Sequence, residues 1–128
     1  TEHQVETAMI TLRNVEYVLA CTSTYPTKAE ELNLLYIGTL AHKYDCKVGF
    51  SNHYNGHDAC VAATALGAMC IEFHITHDRT AYGSDQAASI ENAGGLIDAI
   101  NHCLLMRGDG LKKVYASEEP IAAKLRKV

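Results

Sequence analysis

Apolar and polar positions follow a helical period and then an extended period along the first part of the chain. A Thr1-x-x-Gln4 capping box opens a helix whose apolar residues recur at the i, i+3, i+4, i+7 spacing. These residues are Val5, Ala8, Met9 and Leu12. Residues 15–21 are β-branched, aromatic or small and apolar, and they end at the loop formers of residues 22–26, so they predict the first strand.

The next segment repeats the order of helix and strand. A Thr27-x-x-Glu30 capping box predicts a second helix that continues to about Lys43. Its expected buried stripe consists of Leu32, Leu35, Tyr36 and Leu40. Residues 47–51 form a short apolar run that ends in a loop containing Asn and Gly, and this run predicts the second strand.

The third repeat starts at Asp58, the expected N-cap of an alanine-rich helix over residues 59–66. Gly67 stands where a glycine ends such a helix. The small side chains suit close packing on a sheet, and residues 69–75 then predict the third strand.

A polar loop over residues 77–88 leads into a last long helix, predicted over residues 89–107 and followed by Gly108. Strands that alternate with helices require a parallel sheet with right-handed crossovers, so the fold class is α/β. All three strands end in loops rich in polar side chains, and ligands bind at that edge of barrels and open α/β sheets. The candidate site therefore lies at the carboxyl ends of the strands.

Composition narrows the class of protein. The 128 residues are 48% hydrophobic and 20% charged, which predicts one folded domain. A net charge of −4 and the lack of a basic run make DNA and RNA improbable partners. No apolar run is long enough for a bilayer and the N-terminus is polar, so a soluble, cytoplasmic protein is expected. The first residue, Thr1, suggests a trimmed product or a fragment.

Five cysteines form an odd set without a Cys-x-x-Cys pair, which argues against a disulfide framework and against a thiolate zinc site. We expect reduced and mostly buried thiols. No Gly-x-Gly-x-x-Gly or P-loop motif follows a strand, so the sequence does not support a nucleotide site.

The third predicted strand carries polar residues on one side. Cys70, Glu72 and His74 alternate with apolar neighbours, and His53 lies just past the end of the second strand. Two imidazoles from neighbouring strand ends can converge on one divalent ion. The alternative is structural: His53 caps a loop, His74 donates to a backbone carbonyl, and Glu72 is an interior acid hydrogen-bonded to its neighbours. His57 and His77 are weaker rivals, because surface exposure is expected for the first and an outward direction for the second.

Four ordered motifs resemble the N-acetylneuraminate (sialic acid) synthase family. They are CTSTYPT at residues 21–27, VGFSNH at residues 48–53, IEFHITHDR at residues 71–79, and GSD at residues 83–85 with Ser89 after it. The resemblance implies a TIM barrel, of which residues 1–110 would be the C-terminal part with three parallel strands and about four helices. Residues 111–128 would then be a charged tail or linker, with or without a short helix.

The resemblance also implies a reaction. The family condenses phosphoenolpyruvate with an N-acyl-hexosamine, typically N-acetylmannosamine, and releases phosphate. It implies that His53 and His74 hold a divalent ion, with Mn²⁺ expected, which polarises the aldehyde of the sugar. Asp85 and Tyr25 become the candidate catalytic residues. The implied substrate-binding set is Ser23, Tyr25, Ser51, Asp85 and Arg79.

Three of these residues also have a purely structural interpretation. Tyr25 can be a packed loop aromatic, Ser51 a turn cap and Asp85 a solvated turn residue. The chain also departs from the family, because Asn52 replaces an aspartate and Ser84 replaces a proline.

Most of a barrel is missing from this sequence. A TIM barrel has eight strands and typically about 250 residues, and the lysines with which the family holds phosphoenolpyruvate have no counterpart. We therefore expect a chain that is inactive alone and that either forms a homo-oligomer or pairs with a complementary N-terminal half-barrel. The alternatives are a non-catalytic metal- or sugar-binding half-barrel and, less favoured, another metal-dependent barrel enzyme such as a hydrolase.

Overall fold

The computed structural model describes residues 1–126. In it, three parallel strands alternate with helices. The strands are β1 (Tyr17–Cys21), β2 (Lys47–Asn52) and β3 (Ile71–Phe73). The helices are α1 (Glu2–Thr11), α2 (Tyr36–Lys43), α3 (Asp58–Ala65), α4 (Ala93–Arg107) and α5 (Glu119–Leu125). The predicted α/β class and parallel pairing are confirmed. Five α-helices occur within residues 1–126 rather than about four, because α5 forms in the predicted tail, whose residues 127 and 128 lie outside the described residues.

The sheet has the order β1-β2-β3 and presents two different faces. One face packs Ala20, Val48 and Phe50 against the helices, where Ile37 and Leu96 complete the core. The other face carries Cys21, Ser51 and Glu72 in one row across the three strands. Since β1 and β3 are both edge strands, this second face stays open instead of lining a closed barrel.

Gly49 lies on the open face, where the strands approach closely. A Cβ at this position would lie 2.7 Å from the Cys70 carbonyl oxygen and 3.2 Å from the Leu19 side chain. A larger residue would push β2 and β3 apart, so the close approach requires glycine here.

The predicted N-terminal capping box is confirmed in α1. The Thr1 hydroxyl accepts from the Gln4 backbone N–H, while the Gln4 side chain accepts from the Thr1 amino group at 2.8 Å. The expected apolar face is covered only in part, because no residue of α1 is fully buried. Charged contacts supplement its packing: Lys43 on α2 donates to Glu2 and, at 2.7 Å, to Glu6.

The predicted start of the second helix is wrong. Thr27 does not cap a helix; its hydroxyl donates to the Thr22 and Thr24 carbonyls at 3.1 and 2.8 Å. The chain instead forms a short 3₁₀ turn at Ala29–Glu31, and α2 begins only at Tyr36. Leu35 therefore precedes the helix and is 75% exposed, whereas Ile37 takes the expected buried position.

Three further boundaries differ from the sequence predictions. Asp58 is the first residue of α3 rather than its N-cap, although Gly67 does follow the helix with the positive φ of +104° that favours glycine. The third strand shortens to Ile71–Phe73, because β3 pairs only with β2. Helix α4 starts at Ala93, capped by the Asn92 side chain, since Ser89 is buried in the preceding loop.

The cysteines are less buried than expected. Cys60 and Cys103 are buried, Cys46 and Cys70 are half-buried, and Cys21 is exposed. Cys21 is uncovered because it lies on the open face of the sheet. Within residues 1–126, no helix is long and apolar enough to cross a membrane.

Candidate active site at the strand ends

Backbone hydrogen bonds join the first two of the loops that follow the strands and close the third loop on itself. The first loop spans residues 22–28, the second residues 53–57 and the third residues 74–92. The Thr27 backbone N–H donates to the His53 carbonyl at 2.8 Å, which joins the first loop to the second. The Ile90 N–H donates to the His74 carbonyl at 2.8 Å, which closes the third loop on itself. The polar side chains that these loops carry are therefore held at one edge of the sheet.

Three rings meet at this edge, and we call them the His-His-Tyr cluster: His53, His74 and Tyr25. The ring centroids of His53 and His74 are 5.2 Å apart. The Tyr25 ring lies 4.2 Å from His53 and 6.0 Å from His74. The structure thus brings together three residues that are widely separated in sequence and that the motifs singled out.

His53 is held by the backbone of the first loop. The residue is 4% exposed, and its Nδ1 lies 2.9 Å from the Thr22 carbonyl oxygen. Because a carbonyl oxygen can only accept, Nδ1 is the donor of this hydrogen bond, and in the neutral imidazole Nε2 then has the lone pair that a metal ion needs. The Cys21 sulfur lies 3.8 Å from the same Nδ1. His53 therefore also has a structural role, because its imidazole joins the first loop to the second.

His74 is partly exposed and lies beside Asp85. Its Nδ1 is 3.9 Å from Asp85 Oδ2, so the carboxylate stands at the rim of the cluster. The Asp85 backbone is fixed from behind, because its carbonyl accepts from the Ser89 hydroxyl at 2.8 Å and from the Ala88 N–H at 3.1 Å. The side chain of Asp85 does not cap the 3₁₀ turn at Gln86–Ala88 that follows it. Its carboxylate is therefore available to a ligand.

Ser51 and Glu72 form a second polar pair, one residue row below the cluster. The Ser51 hydroxyl donates to Glu72 Oε1 at 2.6 Å. Ser51 is buried, whereas Glu72 is exposed on the open face. Ser23 lies in the first loop, with its hydroxyl 3.7 Å from the Cys21 sulfur. Along the chain, Ser51 precedes His53 by two residues and Ser23 precedes Tyr25 by two residues.

Arg79 is paired within the protein. Its guanidinium contacts Glu91 at 3.1 Å and also donates to the Asn55 side chain, while its backbone N–H donates to Glu91 at 3.0 Å. The backbone and guanidinium donors of Arg79 hold the pKa of Glu91 below its usual value. Sequence reasoning missed Glu91 and Asn55, because neither belongs to a motif.

Asn52 is one of the departures from the family pattern, and its side chain bonds to the second loop and not to the His-His-Tyr cluster. Its side chain accepts from the Tyr54 N–H at 3.1 Å and donates to the Tyr54 carbonyl at 3.0 Å. The fully buried amide therefore shapes the turn after β2, and both of its polar atoms are satisfied.

The cluster contains two nitrogen donors for a metal rather than a complete cage. Across residues 1–126, no group of three or more His, Cys, Asp or Glu side chains has metal-binding geometry. The free Nε2 of His53 and the neighbouring imidazole of His74 fit an ion that takes its remaining ligands from water or substrate.

The family model that matches the chain is the NeuB family, over residues 1–112. The chain belongs to the NeuB family. Among the relatives of this NeuB-family chain, N,N'-diacetyllegionaminic acid synthase of Legionella pneumophila is 36% identical over 112 residues, which cover 86% of this chain and 32% of the relative. The N-acetylneuraminate-9-phosphate synthase of Homo sapiens is 38% identical over 113 residues, which cover 85% and 31%.

A solved structure shows the same part of the fold. The N-acetylneuraminic acid synthetase of Leptospira borgpetersenii serovar Hardjo-bovis, in complex with citrate, superposes with a TM-score of 0.73 at 33% identity, covering 88% of this chain and 41% of that one. The three parallel strands and the helices α1 to α4 within residues 1–112 correspond to part of the NeuB TIM barrel, which confirms the expected resemblance. The chain spans about a third of the length of the curated relatives it matches.

Proposed function

We propose that this chain is the metal-bearing part of a sialic acid-type synthase, which condenses phosphoenolpyruvate with an N-acyl-hexosamine such as N-acetylmannosamine. One observation carries the proposal: His53, His74, Tyr25 and Asp85 meet at the carboxyl edge of three parallel strands. Membership in the NeuB family supports it, because matched relatives are named as synthases of this class of sugar acid.

His53 and His74 would hold the divalent ion, with Mn²⁺ as the expected metal. When bound, such an ion supplies Lewis-acid polarisation of the sugar aldehyde. The Thr22 carbonyl keeps the His53 proton on Nδ1 and so leaves Nε2 for coordination. Tyr25 packs against His53 and shields that imidazole from water on one side.

Asp85, Ser51 and Ser23 would contact the substrates directly. The Asp85 carboxylate stands beside His74 and can accept hydrogen bonds from sugar hydroxyls. The Ser23 hydroxyl can donate to a substrate oxygen at the same edge. The Ser51 hydroxyl, whose proton goes to Glu72, can accept from a substrate hydroxyl. Phosphoenolpyruvate also needs cations, and Arg79, the expected one, is already engaged by Glu91. This supports a requirement for the remaining barrel strands, from a complementary N-terminal piece.

The decisive experiment adds the missing strands in trans. The chain is mixed with the N-terminal five strand-helix units of a matched synthase, and phosphate release from phosphoenolpyruvate and N-acetylmannosamine is followed. Activity should appear only in the mixture, disappear with His74→Ala and survive His42→Ala on the exposed part of α2. Turnover by the chain alone would overturn the requirement for the other strands.

A non-catalytic metal- or sugar-binding half-barrel is the second candidate. It is favoured by one observation, namely that the His-His-Tyr cluster lies entirely within this chain while Arg79, the expected anion anchor, is paired with Glu91. Metal or sugar binding by a chain that never gains turnover in the mixture would select this alternative.

We keep a reducing, cytoplasmic compartment as the expected location, because all five cysteines are free thiols.

A further inference from the structure

The third loop, which carries Asp85, has one anchored limb and one exposed limb. Its returning limb is buried, with Ala88, Ser89 and Ile90 packed into the structure. Ile90 pairs with Ile75 as an isolated parallel bridge, and the Thr76 N–H donates to the Ile90 carbonyl at 3.1 Å. The outgoing limb over residues 77–84 is mostly exposed, and Tyr82 at its tip is fully so. Something other than core packing must hold that limb.

Arg79 is the residue that ties the outgoing limb down. Its backbone N–H donates to Glu91 Oε1 at 3.0 Å and its guanidinium to Glu91 Oε2 at 3.1 Å, so both carboxylate oxygens are used. A second guanidinium nitrogen donates to the amide oxygen of Asn55. Asn55 follows His53 by two residues. One side chain therefore connects both limbs of the third loop to the loop that begins with His53.

This geometry favours arginine over lysine. The planar guanidinium presents several donors in fixed directions, so it can serve Glu91 and Asn55 at the same time. A lysine ammonium can neutralise a carboxylate, but it does not reproduce that fork. The Arg79–Glu91 pair has no net charge, so its attraction for a substrate anion is weaker than that of an isolated guanidinium.

We propose that Arg79 and Glu91 form a clasp that positions the Asp85-bearing loop against His53 and His74, so that Arg79 is a positioning residue and not an anchor for a substrate anion. The inference rests on the proposed function for its purpose, since the clasp would keep Asp85 beside the metal ligands. Its structural content is independent of metal and substrate. It can be tested on the metal-free chain.

The first test measures how often the outgoing limb opens. Chymotrypsin cleaves after Tyr82 once the loop detaches locally, and mass spectrometry identifies that cut. Glu91→Gln and Arg79→Lys should each accelerate this cleavage roughly two- to fivefold, the range that an exposed charge pair supports. The double variant should be no faster than the single variants, because they break the same contact. Arg13→Lys, at an exposed arginine on another part of the chain, is the matched control.

A second measurement separates positioning from a general loss of stability. The imidazole NMR signals of His74 should shift in Glu91→Gln while the thermal midpoint stays close to that of the parent, and Arg13→Lys should leave both unchanged. Independent, additive effects of the two substitutions on cleavage, or an unchanged His74 spectrum, would overturn the clasp.

The competing role for Arg79 is an anion anchor, and inorganic phosphate is the probe. If Arg79 is a positioning residue, titration with phosphate should not shift its side-chain Nε–H signal, and any phosphate binding should survive Arg79→Lys. A saturable shift of that signal that Arg79→Lys abolishes would overturn the proposal. Because all readouts use the metal-free chain, a failure of the proposed synthase function would show itself separately, in the turnover and metal assays.

Discussion

At the scale of single residues, His53 and His74 differ in how deeply they are built into the protein. His53 is buried and hydrogen-bonded to the Thr22 carbonyl, whereas His74 is partly exposed at the rim of the third loop. Substitution by alanine should therefore lower the stability of the protein to different extents at these two positions. Removing the buried imidazole leaves a cavity and removes one of the two hydrogen bonds that the Thr22 carbonyl accepts, whereas removing the partly exposed one opens no such buried space.

We predict that His53→Ala and His74→Ala each abolish stoichiometric Mn²⁺ binding in an electron paramagnetic resonance titration. His53→Ala should also lower the thermal midpoint, while His74→Ala should leave it nearly unchanged and so isolates the loss of a ligand. His42→Ala, on α2, should affect neither property. A double His53→Ala, His74→Ala variant that binds Mn²⁺ like the parent would show that the metal site lies elsewhere.

Asp85 presents its carboxylate on a loop, away from the core. In the assembled enzyme we expect Asp85→Asn to lower kcat for N-acetylmannosamine while the free energy of unfolding changes by less than about 1 kcal/mol, as for most exposed loop positions. Phosphate-release kinetics and denaturant unfolding measure the two quantities. Asp98→Asn, at an exposed position on α4, is the control. A strongly destabilised Asp85→Asn variant would indicate a structural role instead.

The five thiols should react at very different rates. Cys21 is exposed on the open face, whereas burial raises the pKa of Cys60 from 9.0 to about 12. We predict that Ellman's reagent at neutral pH titrates Cys21 rapidly and Cys60 only on unfolding, and that Cys21→Ser removes the fast phase. Because the raised pKa favours the neutral thiol in the folded state, the stability linked to Cys60 is complete below its ordinary pKa of 9.0 and declines as the pH rises above it. Fast labelling of Cys60 in the folded protein would contradict its burial.

At the scale of secondary-structure elements, α1 is the helix most dependent on charge. No residue of α1 is fully buried, and Lys43 on α2 contacts both Glu2 and Glu6. Hydrogen bonds from Lys43 and Tyr36 hold the pKa of Glu2 below its ordinary value of 4.5. The stability that this carboxylate contributes is therefore present above pH 4.5 and is lost as the pH falls through the lowered pKa.

Hydrogen exchange of the α1 amides measures this attachment. Their protection should fall with acidification below the ordinary pKa of Glu2, and also with high salt, because the contacts are solvent-exposed and screened. Glu2→Gln should lower the protection at neutral pH. Glu16→Gln, which removes the partner of Lys47 at the start of β2, should leave α1 unchanged. Protection of α1 that is indifferent to Glu2, salt and pH would mean that its apolar contacts suffice.

At the scale of the whole molecule, the open sheet should drive association. Within residues 1–126, the outer edges of β1 and β3 have no strand partner, and large apolar side chains are exposed. Examples are Leu35, Met69, Leu105 and Leu125. We expect a mass above that of the monomer in sedimentation equilibrium, increasing with concentration. Met69→Lys, beside the edge of β3, should weaken association more than Leu35→Lys does. A monomeric mass at all concentrations would contradict this expectation.

The sequence alone determined the order of the strands and helices up to α4 and the parallel sheet. These features follow from local periodicity and from motifs that keep their spacing, and strand ends of a parallel sheet necessarily share one edge. The motifs that resemble the family singled out His53, His74, Tyr25 and Asp85, and the structure places these residues together at that edge, while their roles stay predictions. The closure of α3 by Gly67 was predictable for the same local reason.

The tertiary structure decided whatever depends on partners distant in sequence. Thr27 has the pattern of a helix cap, but its hydroxyl bonds to the first loop and its N–H to the His53 carbonyl, and these contacts displace the start of α2. Arg79 is the one cation that the motifs place beside the site, and the structure shows that two of its guanidinium nitrogens donate to Glu91 and Asn55. The cysteines were expected to be mostly buried, yet Cys21 lies exposed on a sheet face that three strands cannot close. Hydrogen bonds and burial of this kind are set by the contacts of the folded chain, and a local pattern does not encode them.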